Sequence, residues 1–514
     1  GRGLEVGHGS KVAGWSSQVT VTGHGSQVTG ERSRVAGHGS QTYMICPTFS
    51  FPGTIWAEGS GNLSQLIVDN GFSETTSAVL FDLNANHVAE SYNKDLQLPL
   101  ASVTKAVTAV YGLETIGKNY RFCTDFKSDG IIMPDGTLEG NLYLIGGGDP
   151  ALSINDLEHF VKVLKNRGII RISGELFYND KWFPHFTHID PSQLPEESFN
   201  PGLSGLNLND NKVLFSWKKG LTGYNLKIIS PGTTTSTSVP NIKIDDVSDL
   251  STSYKYSVSE LEGVETWNVS RRILGKGGVR WLPVRLPSQY ASEVLRSLLL
   301  ENNILVPPPR RLSNIPESLH LLFRHESKDL NDLVRDILDR STNVAAELVG
   351  MHVAKLWGVK TSSIRNSGQV MTKWFNYVTS TNGSIFANHS GLSTDSRVSC
   401  NDFVKFLKRP ETLRLLSPIL KKKATYGAGS SALSAANVDI VAKTGTMHFN
   451  RGLAGYIRKN EVPKAAFAIF TADIEKKFSI PDHRRANPPG SKPWLSRAKS
   501  QENKILSNWA AIYA

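Results

Sequence analysis

The chain has 514 residues, 39% hydrophobic and 20% charged, which is typical of a globular protein with two or three domains or one domain with large insertions. No run of about 18 apolar residues occurs, so the sequence predicts no transmembrane segment. The formal net charge of +11 favours an anionic partner such as a cell wall or membrane surface. The lysines and arginines are dispersed and no recognised binding motif appears, so we expect no nucleic acid partner.

Residues 1–52 differ in composition from the rest of the chain. The sequence Gly-His-Gly-Ser recurs at 7–10, 23–26 and 37–40 among small and polar residues. Such a segment cannot bury a core, so we expect a disordered low-complexity tail. Metal binding by the repeated histidines is the alternative interpretation. No signal peptide is visible in this segment.

The three cysteines, Cys46, Cys123 and Cys400, are far apart and odd in number. They form no metal-like pair, and they neither require nor exclude one disulfide.

From residue 53 the pattern becomes that of a folded protein. The segment SAVLFDLNANHVAESY (77–92) predicts two strands joined by a turn. A helix is predicted from Leu100 and ends at Gly117. Residues 120–310 are rich in strand-like runs and turns, and because they lie between two helical regions we expect them to form an inserted region.

Helical periodicity returns over 330–358. The chain then ends in a strand, VDIVAKTGTM (438–447), two further strands and a closing helix. Residues 53–119 and 311–514 are therefore predicted to form one domain closed by both chain ends.

The segment LASVTKAVTAV (100–110) contains a Ser-x-x-Lys motif at Ser102 and Lys105. On a helix these residues share one face, with their side chains in reach. The lysine is either a solvated neighbour or a desolvated base that takes the proton of the serine. The motif alone leaves both interpretations open, because it also occurs at Ser91, Ser216 and Ser496.

Two further motifs complete an ordered set. Ser341-Thr342-Asn343 lies in the second helical region, and Lys-Thr-Gly occurs once, at Lys443, within an apolar strand. Glycine there lets a substrate lie close to the strand edge. The ordered triplet is far more specific than any of its members.

The triplet resembles the penicillin-recognising serine enzymes. The segments GGGDPAL (146–152), GLNLNDN (205–211), SGLSTDSRVS (390–399) and RGLAGYI (451–457) look like the D-alanyl-D-alanine carboxypeptidase/endopeptidase family, the low-molecular-mass class C penicillin-binding proteins. The resemblance runs from about residue 53 to 510. It implies that residues 53–119 and 311–514 form an α/β (α+β) serine transpeptidase-like catalytic domain, with an antiparallel sheet flanked by helices. It also implies that the large strand-rich insertion over 120–310 consists of two smaller domains.

The resemblance also implies catalytic roles. Ser102 would attack a peptide carbonyl after Lys105, neutral in a desolvated site, accepts its proton. Ser341 would relay a proton to the leaving amine. The backbone N–H groups of Ser102 and Thr446 would form the oxyanion hole.

The remaining residues of the set are implied to bind substrate. Asn343 would hold the substrate amide, and Lys443 would attract its terminal carboxylate. Thr444 and Thr446 would donate hydroxyl hydrogen bonds, and Gly445 would let the substrate approach the strand. No metal or other cofactor is expected.

Two further features of the sequence lie in predicted loops. His185, His188 and Asp190 have metal-like spacing without a third strong ligand, so an ordinary loop is favoured. Asn388-His389 replaces the Asp-Gly that the family usually has before Ser390, which removes a charge and a flexible residue from that loop.

The implied function is a penicillin-sensitive D-Ala-D-Ala carboxypeptidase or endopeptidase acting on peptidoglycan stem peptides, with β-lactams as covalent inhibitors. The implied location is the periplasm or cell envelope. The alternatives are a β-lactamase of related fold and a catalytically silent wall-binding homologue. Class A β-lactamases place their Ser-x-Asn motif much nearer the nucleophile than this chain does, and the intact triplet argues against a silent homologue.

Overall fold

The structure, a computed structural model, describes residues 63–232, 236–424, 430–481, 485 and 487–514. The predicted tail, with its histidine repeats and Cys46, lies outside these residues. Cys123 and Cys400 are both free thiols. Among the described residues, no helix combines the length and apolar character needed to cross a membrane.

The helices of the described residues are α1 (Leu63–Asp69), α2 (Thr104–Thr115), α3 (Ile154–Asn166), α4 (Arg271–Leu274), α5 (Pro287–Glu301), α6 (Leu330–Arg340), α7 (Asn343–Leu356), α8 (Ile364–Thr379), α9 (Cys400–Leu407), α10 (Pro410–Leu416), α11 (Ser430–Ala435), α12 (Ile474–Phe478) and α13 (Ser491–Ala511).

The first strands along the chain are β1 (Thr76–Asp82), β2 (His87–Tyr92), β3 (Gln97–Leu98), β4 (Cys123–Ser128), β5 (Ile131–Ile132), β6 (Thr137–Glu139), β7 (Leu142–Gly146), β8 (Arg171–Ile172) and β9 (Leu176–Asn179). They are followed by β10 (Lys212–Lys219), β11 (Tyr224–Pro231), β12 (Ser236–Ser238), β13 (Ile242–Val247), β14 (Tyr254–Ser259), β15 (Val264–Ser270) and β16 (Gly277–Pro283). The last are β17 (Pro309–Arg311), β18 (His320–Glu326), β19 (Val398–Ser399), β20 (Val438–Met447), β21 (Asn450–Lys459) and β22 (Val462–Ala472).

A five-stranded antiparallel sheet in the order β2-β1-β22-β21-β20 organises the catalytic side of the molecule. Its first two strands come from the start of the described chain and its other three from near the end, so the two ends of the chain close this sheet. Strand β20, which carries the Lys-Thr-Gly motif, lies at the edge. An edge strand leaves backbone groups available to an extended ligand.

Both faces of this sheet are covered by helices. Because successive strand residues point to opposite faces, Val79 packs in the core on the side of α2, α6, α7 and α9, and Leu80 packs on the side of α1 and α13. The near-continuous apolar runs of the central strands are explained by this burial on both sides. The predicted fold class is therefore confirmed.

The inserted region has its own core. Its strands form a five-stranded mixed sheet (β17-β9-β7-β4-β18), a four-stranded sheet (β12-β11-β10-β16) and two three-stranded sheets, one of β13, β15 and β14 and one of β5, β6 and β8. Helices α3 and α5 pack in the same apolar cluster. The boundaries 120–310 stay a prediction, but strand β18 pairs with β4 and thus extends the inserted sheet beyond residue 310.

Candidate active site

Ser102 lies in a short 3₁₀ turn, Ala101–Val103, that leads directly into α2. The preceding residue, Ala101, has φ +48°, a left-handed conformation that non-glycine residues rarely adopt. Such conformations persist where surrounding structure holds them, often at functional sites. A Cβ on Gly391 would overlap the Ala101 carbonyl, so a neighbouring loop packs closely against this turn.

The Lys105 side chain is fully buried and reaches three oxygen atoms. Its Nζ lies 3.0 Å from Ser102 Oγ, 2.6 Å from Asn343 Oδ1 and 2.8 Å from the Ser390 carbonyl oxygen. Burial, followed by the charge of Lys443, lowers the pKa of Lys105 well below its usual value. These contacts distinguish Lys105 from a solvated surface lysine.

The continuous periodicity of 330–358 predicted that Ser341 lies within a helix. This prediction is wrong, because Ser341 lies between two helices. Helix α6 ends at Arg340, Ser341 adopts a left-handed conformation (φ 59°, ψ 39°), and α7 begins at Asn343. The apolar pattern continues across the break because both helices bury their faces in the same core. The sequence hides the break because neither glycine nor proline marks it.

Lys443 connects the Lys-Thr-Gly motif with Ser341 of the Ser-x-Asn motif. Its Nζ donates to Ser341 Oγ at 3.1 Å and to the Thr444 carbonyl oxygen at 3.1 Å. Burial, and next the charge of Arg451, lowers the pKa of Lys443 to about 8. The side chain therefore carries a positive charge at neutral pH that is lost under mildly alkaline conditions.

Thr444 and Thr446 are exposed on β20, whereas Gly445 between them is buried against the Ser102 turn. A Cβ on Gly445 would lie 2.9 Å from the Ser102 backbone nitrogen. Gly445 therefore lets β20 lie close against the Ser102 turn, and its role comes from this close approach.

A buried ion pair between Arg451 and Glu502 holds the Thr446 side chain in place. The sequence analysis did not predict this pair. Arg451 Nη1 donates to Thr446 Oγ1 at 2.7 Å, and the same guanidinium makes two 2.7 Å bonds to the Glu502 carboxylate. Glu502 lies on α13 and is 2% exposed. Arg451 pairs with Thr446 across β20 and β21, a register that only the folded sheet defines.

Glu347 is a second residue that the sequence reasoning missed. It lies one turn after Asn343 on α7, is fully buried, and accepts the backbone N–H groups of His389 at 3.0 Å and Ser390 at 2.8 Å. Burial raises the pKa of Glu347, whereas these hydrogen bonds lower it. The spacing of four residues from Asn343 was the available signal.

The loop with the Asn388-His389 departure is well held. Asn388 Oδ1 accepts the Gly391 N–H at 3.0 Å, and His389 is buried with a nitrogen 2.8 Å from Ser367 Oγ. A Cβ on Gly350 would overlap the His389 ring, so Gly350 provides the room for it. Burial lowers the pKa of His389 to about 3, so the ring is neutral.

The three motifs meet at one cleft of about 340 Å³, whose lining includes Ser102, Ser341, Lys443, Thr444 and Thr446. Lys105 and Asn343 join it through their contacts with Ser102. The predicted loop with His185 and His188 does not line this cleft. His185 Nε2 lies 2.8 Å from the Arg285 carbonyl oxygen, and His188 contacts Thr187.

A comparison with protein families matches residues 60–486 to the D-Ala-D-Ala carboxypeptidase 3 (S13) family. The chain belongs to this family. The predicted family and the predicted activity, that of a serine-type D-Ala-D-Ala carboxypeptidase, are therefore confirmed.

Named relatives and solved structures agree with this S13 assignment. The chain is 25% identical to D-alanyl-D-alanine carboxypeptidase DacB of Haemophilus influenzae over 474 residues, which cover 85% of this chain and 93% of the relative. It is 22% identical over 417 residues to a D-alanyl-D-alanine carboxypeptidase of an Actinomadura species, covering 74% of each. The crystal structure of penicillin-binding protein 4 (dacB) from Haemophilus influenzae has the same fold, with a TM-score of 0.66 at 21% identity over 87% of this chain and 98% of that one.

Proposed function

We propose that the protein releases D-alanine from peptidoglycan stem peptides ending in D-Ala-D-Ala, through an acyl-enzyme on Ser102. The buried Lys105 amine, 3.0 Å from Ser102 Oγ, is the observation that carries the proposal. Its lowered pKa favours the neutral amine. A neutral amine can donate its two hydrogens to Asn343 and Ser390 and direct its lone pair at the Ser102 hydroxyl.

The reaction then follows from these positions. The Ser102 proton passes to Lys105 while Oγ bonds to the carbonyl carbon of the penultimate D-alanine. When the tetrahedral intermediate collapses, the C–N bond breaks, and Ser341, 3.1 Å from Lys443 Nζ, relays a proton to the leaving amine. Water hydrolyses the remaining ester and restores Ser102.

Substrate recognition rests on the edge strand β20. The Lys443 ammonium and the exposed Thr444 and Thr446 hydroxyl groups would bind the terminal carboxylate, and Asn343 would bind the peptide amide. The N–H groups of Ser102 and Thr446 would stabilise the oxyanion, at about 3 kcal/mol per donor in comparable sites.

We further infer that β-lactams acylate Ser102, because they present a strained amide and a carboxylate to the same groups. The solved structure of the Haemophilus influenzae protein in complex with a β-lactam, with a TM-score of 0.62 at 21% identity, supports this inference by its fold. Since the proposed substrate is peptidoglycan, the location that we propose is the periplasm or cell envelope.

The test is release of D-alanine from a D-Ala-D-Ala pentapeptide by the purified protein. Ser102→Ala should abolish release. Ser91→Ala is the matched control, because Ser91 begins another Ser-x-x-Lys sequence on the exposed side of β2, and it should retain full activity. Activity that survives Ser102→Ala would show that another residue is the nucleophile, and inactivity of the native protein would favour a silent homologue.

A further inference from the structure

A second cavity, of about 750 Å³, lies between the inserted region and helices α6 and α7. Its lining includes Pro150–Asp156, Asn209, Asp210 and Lys212 from the inserted region, together with Arg340 and Thr342. The ends of the GGGDPAL and GLNLNDN segments, neither of which has a role in the catalytic steps, therefore line this space. We call this space the second cavity.

The backbone at Asn209–Asn211 is built in an unfavourable conformation. Asn209, Asp210 and Asn211 have φ values of 51°, 54° and 52°, so three successive non-glycine residues are left-handed. The side chain of Asn209 bonds to the Ile154 N–H and to Ser230 Oγ, and that of Asn211 bonds to the Gly202 carbonyl. These bonds hold the turn and present the middle residue, Asp210, at the second cavity.

The charges that line the second cavity are nearly balanced. The Asp210 carboxylate interacts electrostatically with Lys212 and Arg340. Lys328 pairs with Asp336 at 2.9 Å. A lining with both donors and acceptors and little net charge suits an uncharged ligand rich in hydroxyl and amide groups.

Trp281 adds a flat apolar surface to this lining. It lies on β16, lines the second cavity and is 45% exposed, which is unusual for the largest apolar side chain. An exposed indole beside hydrogen-bonding groups offers one apolar face and a polar surround. The C–H face of a pyranose ring, with hydroxyl groups at its edge, matches this combination.

The second cavity begins beside the catalytic residues. Thr342, in its lining, lies between Ser341 and Asn343, which contact Lys443 and Lys105 respectively. Lys212, also in the lining, is close enough to act electrostatically on Lys105. A substrate bound between Lys443 and Asn343 would therefore lie beside this cavity.

We propose that the second cavity binds the N-acetylated sugar to which the stem peptide of the substrate is attached. This inference rests on the proposed function, since it concerns the same substrate. The inserted region would then contribute to substrate binding. Asp210 and Lys212 would form hydrogen bonds with the hydroxyl and acetamido groups of the sugar, and Trp281 would pack on its ring. The protein would then favour stem peptides still attached to glycan.

The first test compares two substrates in the native protein. The kcat/KM for a D-Ala-D-Ala pentapeptide attached to its N-acetylglucosaminyl-N-acetylmuramyl disaccharide should exceed that for the free pentapeptide about tenfold, mainly through KM. In Trp281→Ala and Asp210→Asn this ratio should fall towards one. Tyr377→Ala removes an 84% exposed aromatic side chain from α8, and this control should keep the native ratio. Equal kcat/KM values in the native protein, or an unchanged ratio in both cavity variants, would overturn the proposal.

A binding measurement makes the test independent of turnover. In calorimetry with the Ser102→Ala protein, the disaccharide-pentapeptide should bind about tenfold more tightly than the free peptide, and the further change Trp281→Ala should remove the difference. Equal affinity for the two ligands would overturn the sugar proposal whether or not the native protein is active. Loss of turnover with the affinity difference retained would instead contradict the proposed function alone.

Discussion

Glu347 and Lys105 contact the two sides of Ser390. The Glu347 carboxylate accepts the Ser390 N–H at 2.8 Å, and the Ser390 carbonyl accepts a hydrogen bond from Lys105 Nζ, also at 2.8 Å. Glu347 thus holds the loop that contains Ser390, and this loop in turn positions the Lys105 amine. Its negative charge also raises the pKa of Lys105, opposing the larger effect of burial and the charge of Lys443.

The pH dependence of Glu347→Gln tests this relationship. The variant removes the charge that favours the ammonium form, so the pKa of Lys105 should fall further. Because the base must be neutral, the acidic limb of the kcat/KM profile should move to lower pH. Glu114→Gln, which removes a carboxylate paired with Arg409, is the control and should leave the limb in place. A Glu347→Gln profile with lower activity but an unmoved limb would indicate a structural role without electrostatic coupling.

Lys443→Arg tests the alkaline limb. The pKa of Lys443 is lowered to about 8, so its positive charge is present below that pH and disappears above it. Binding of a carboxylate substrate should weaken as the charge is lost, which lowers kcat/KM. An arginine stays protonated throughout this range, so the decline should shift to higher pH even if the maximum falls. An alkaline limb unchanged in the variant would exclude Lys443 as its origin.

Gly350→Ala tests the packing of the loop with the Asn388-His389 departure. The new methyl group would overlap the buried His389 ring and displace the loop that holds Lys105. Acylation by a fluorescent penicillin should slow about tenfold or more, equivalent to about 1.4 kcal/mol. Adding His389→Gly removes the overlapping ring and should restore much of the rate. A double variant as slow as the single one would refute this packing explanation.

Glu502→Gln tests the buried ion pair behind Thr446. It leaves the Arg451 guanidinium with a neutral partner in a site where both side chains are largely buried. Breaking such a pair should lower the free energy of unfolding by about 3–5 kcal/mol, measured as a shift of the denaturation midpoint. Glu411→Gln removes a half-exposed carboxylate from Arg409, which keeps its pair with Glu114, and should cost only about 0–1 kcal/mol. Equal effects of the two variants would contradict this assignment.

The parts of the site that sequence predicts are those with local spacing. Ser102 and Lys105 lie one helical turn apart, and the Lys-Thr-Gly strand follows from its apolar run, so these elements could be read directly. The strands near both chain ends followed from their apolar runs, whereas the antiparallel sheet that they form was implied by the resemblance to a family. The resemblance to a family then implied that the three motifs form one site and which role each residue has.

The remaining features depend on tertiary structure. Glu502 reaches Arg451 from a helix far along the chain, and Arg451 reaches Thr446 across a strand register that the sequence does not specify. The left-handed Ser341 was hidden because the apolar period continues through the break. The pairing of β18 with β4 joins residues nearly two hundred positions apart, which local pattern cannot predict.

The central claim, that Ser102 forms the acyl-enzyme, is tested most directly by mass spectrometry of the intact and digested protein after mixing with penicillin. The tethered leaving group of penicillin stays in the site and blocks the deacylating water, so a single penicilloyl adduct should persist for minutes or longer on the peptide that contains Ser102. It should be absent from Ser102→Ala and present in Ser91→Ala. An adduct on another residue, or catalytic consumption of penicillin with no adduct detected, would contradict the account.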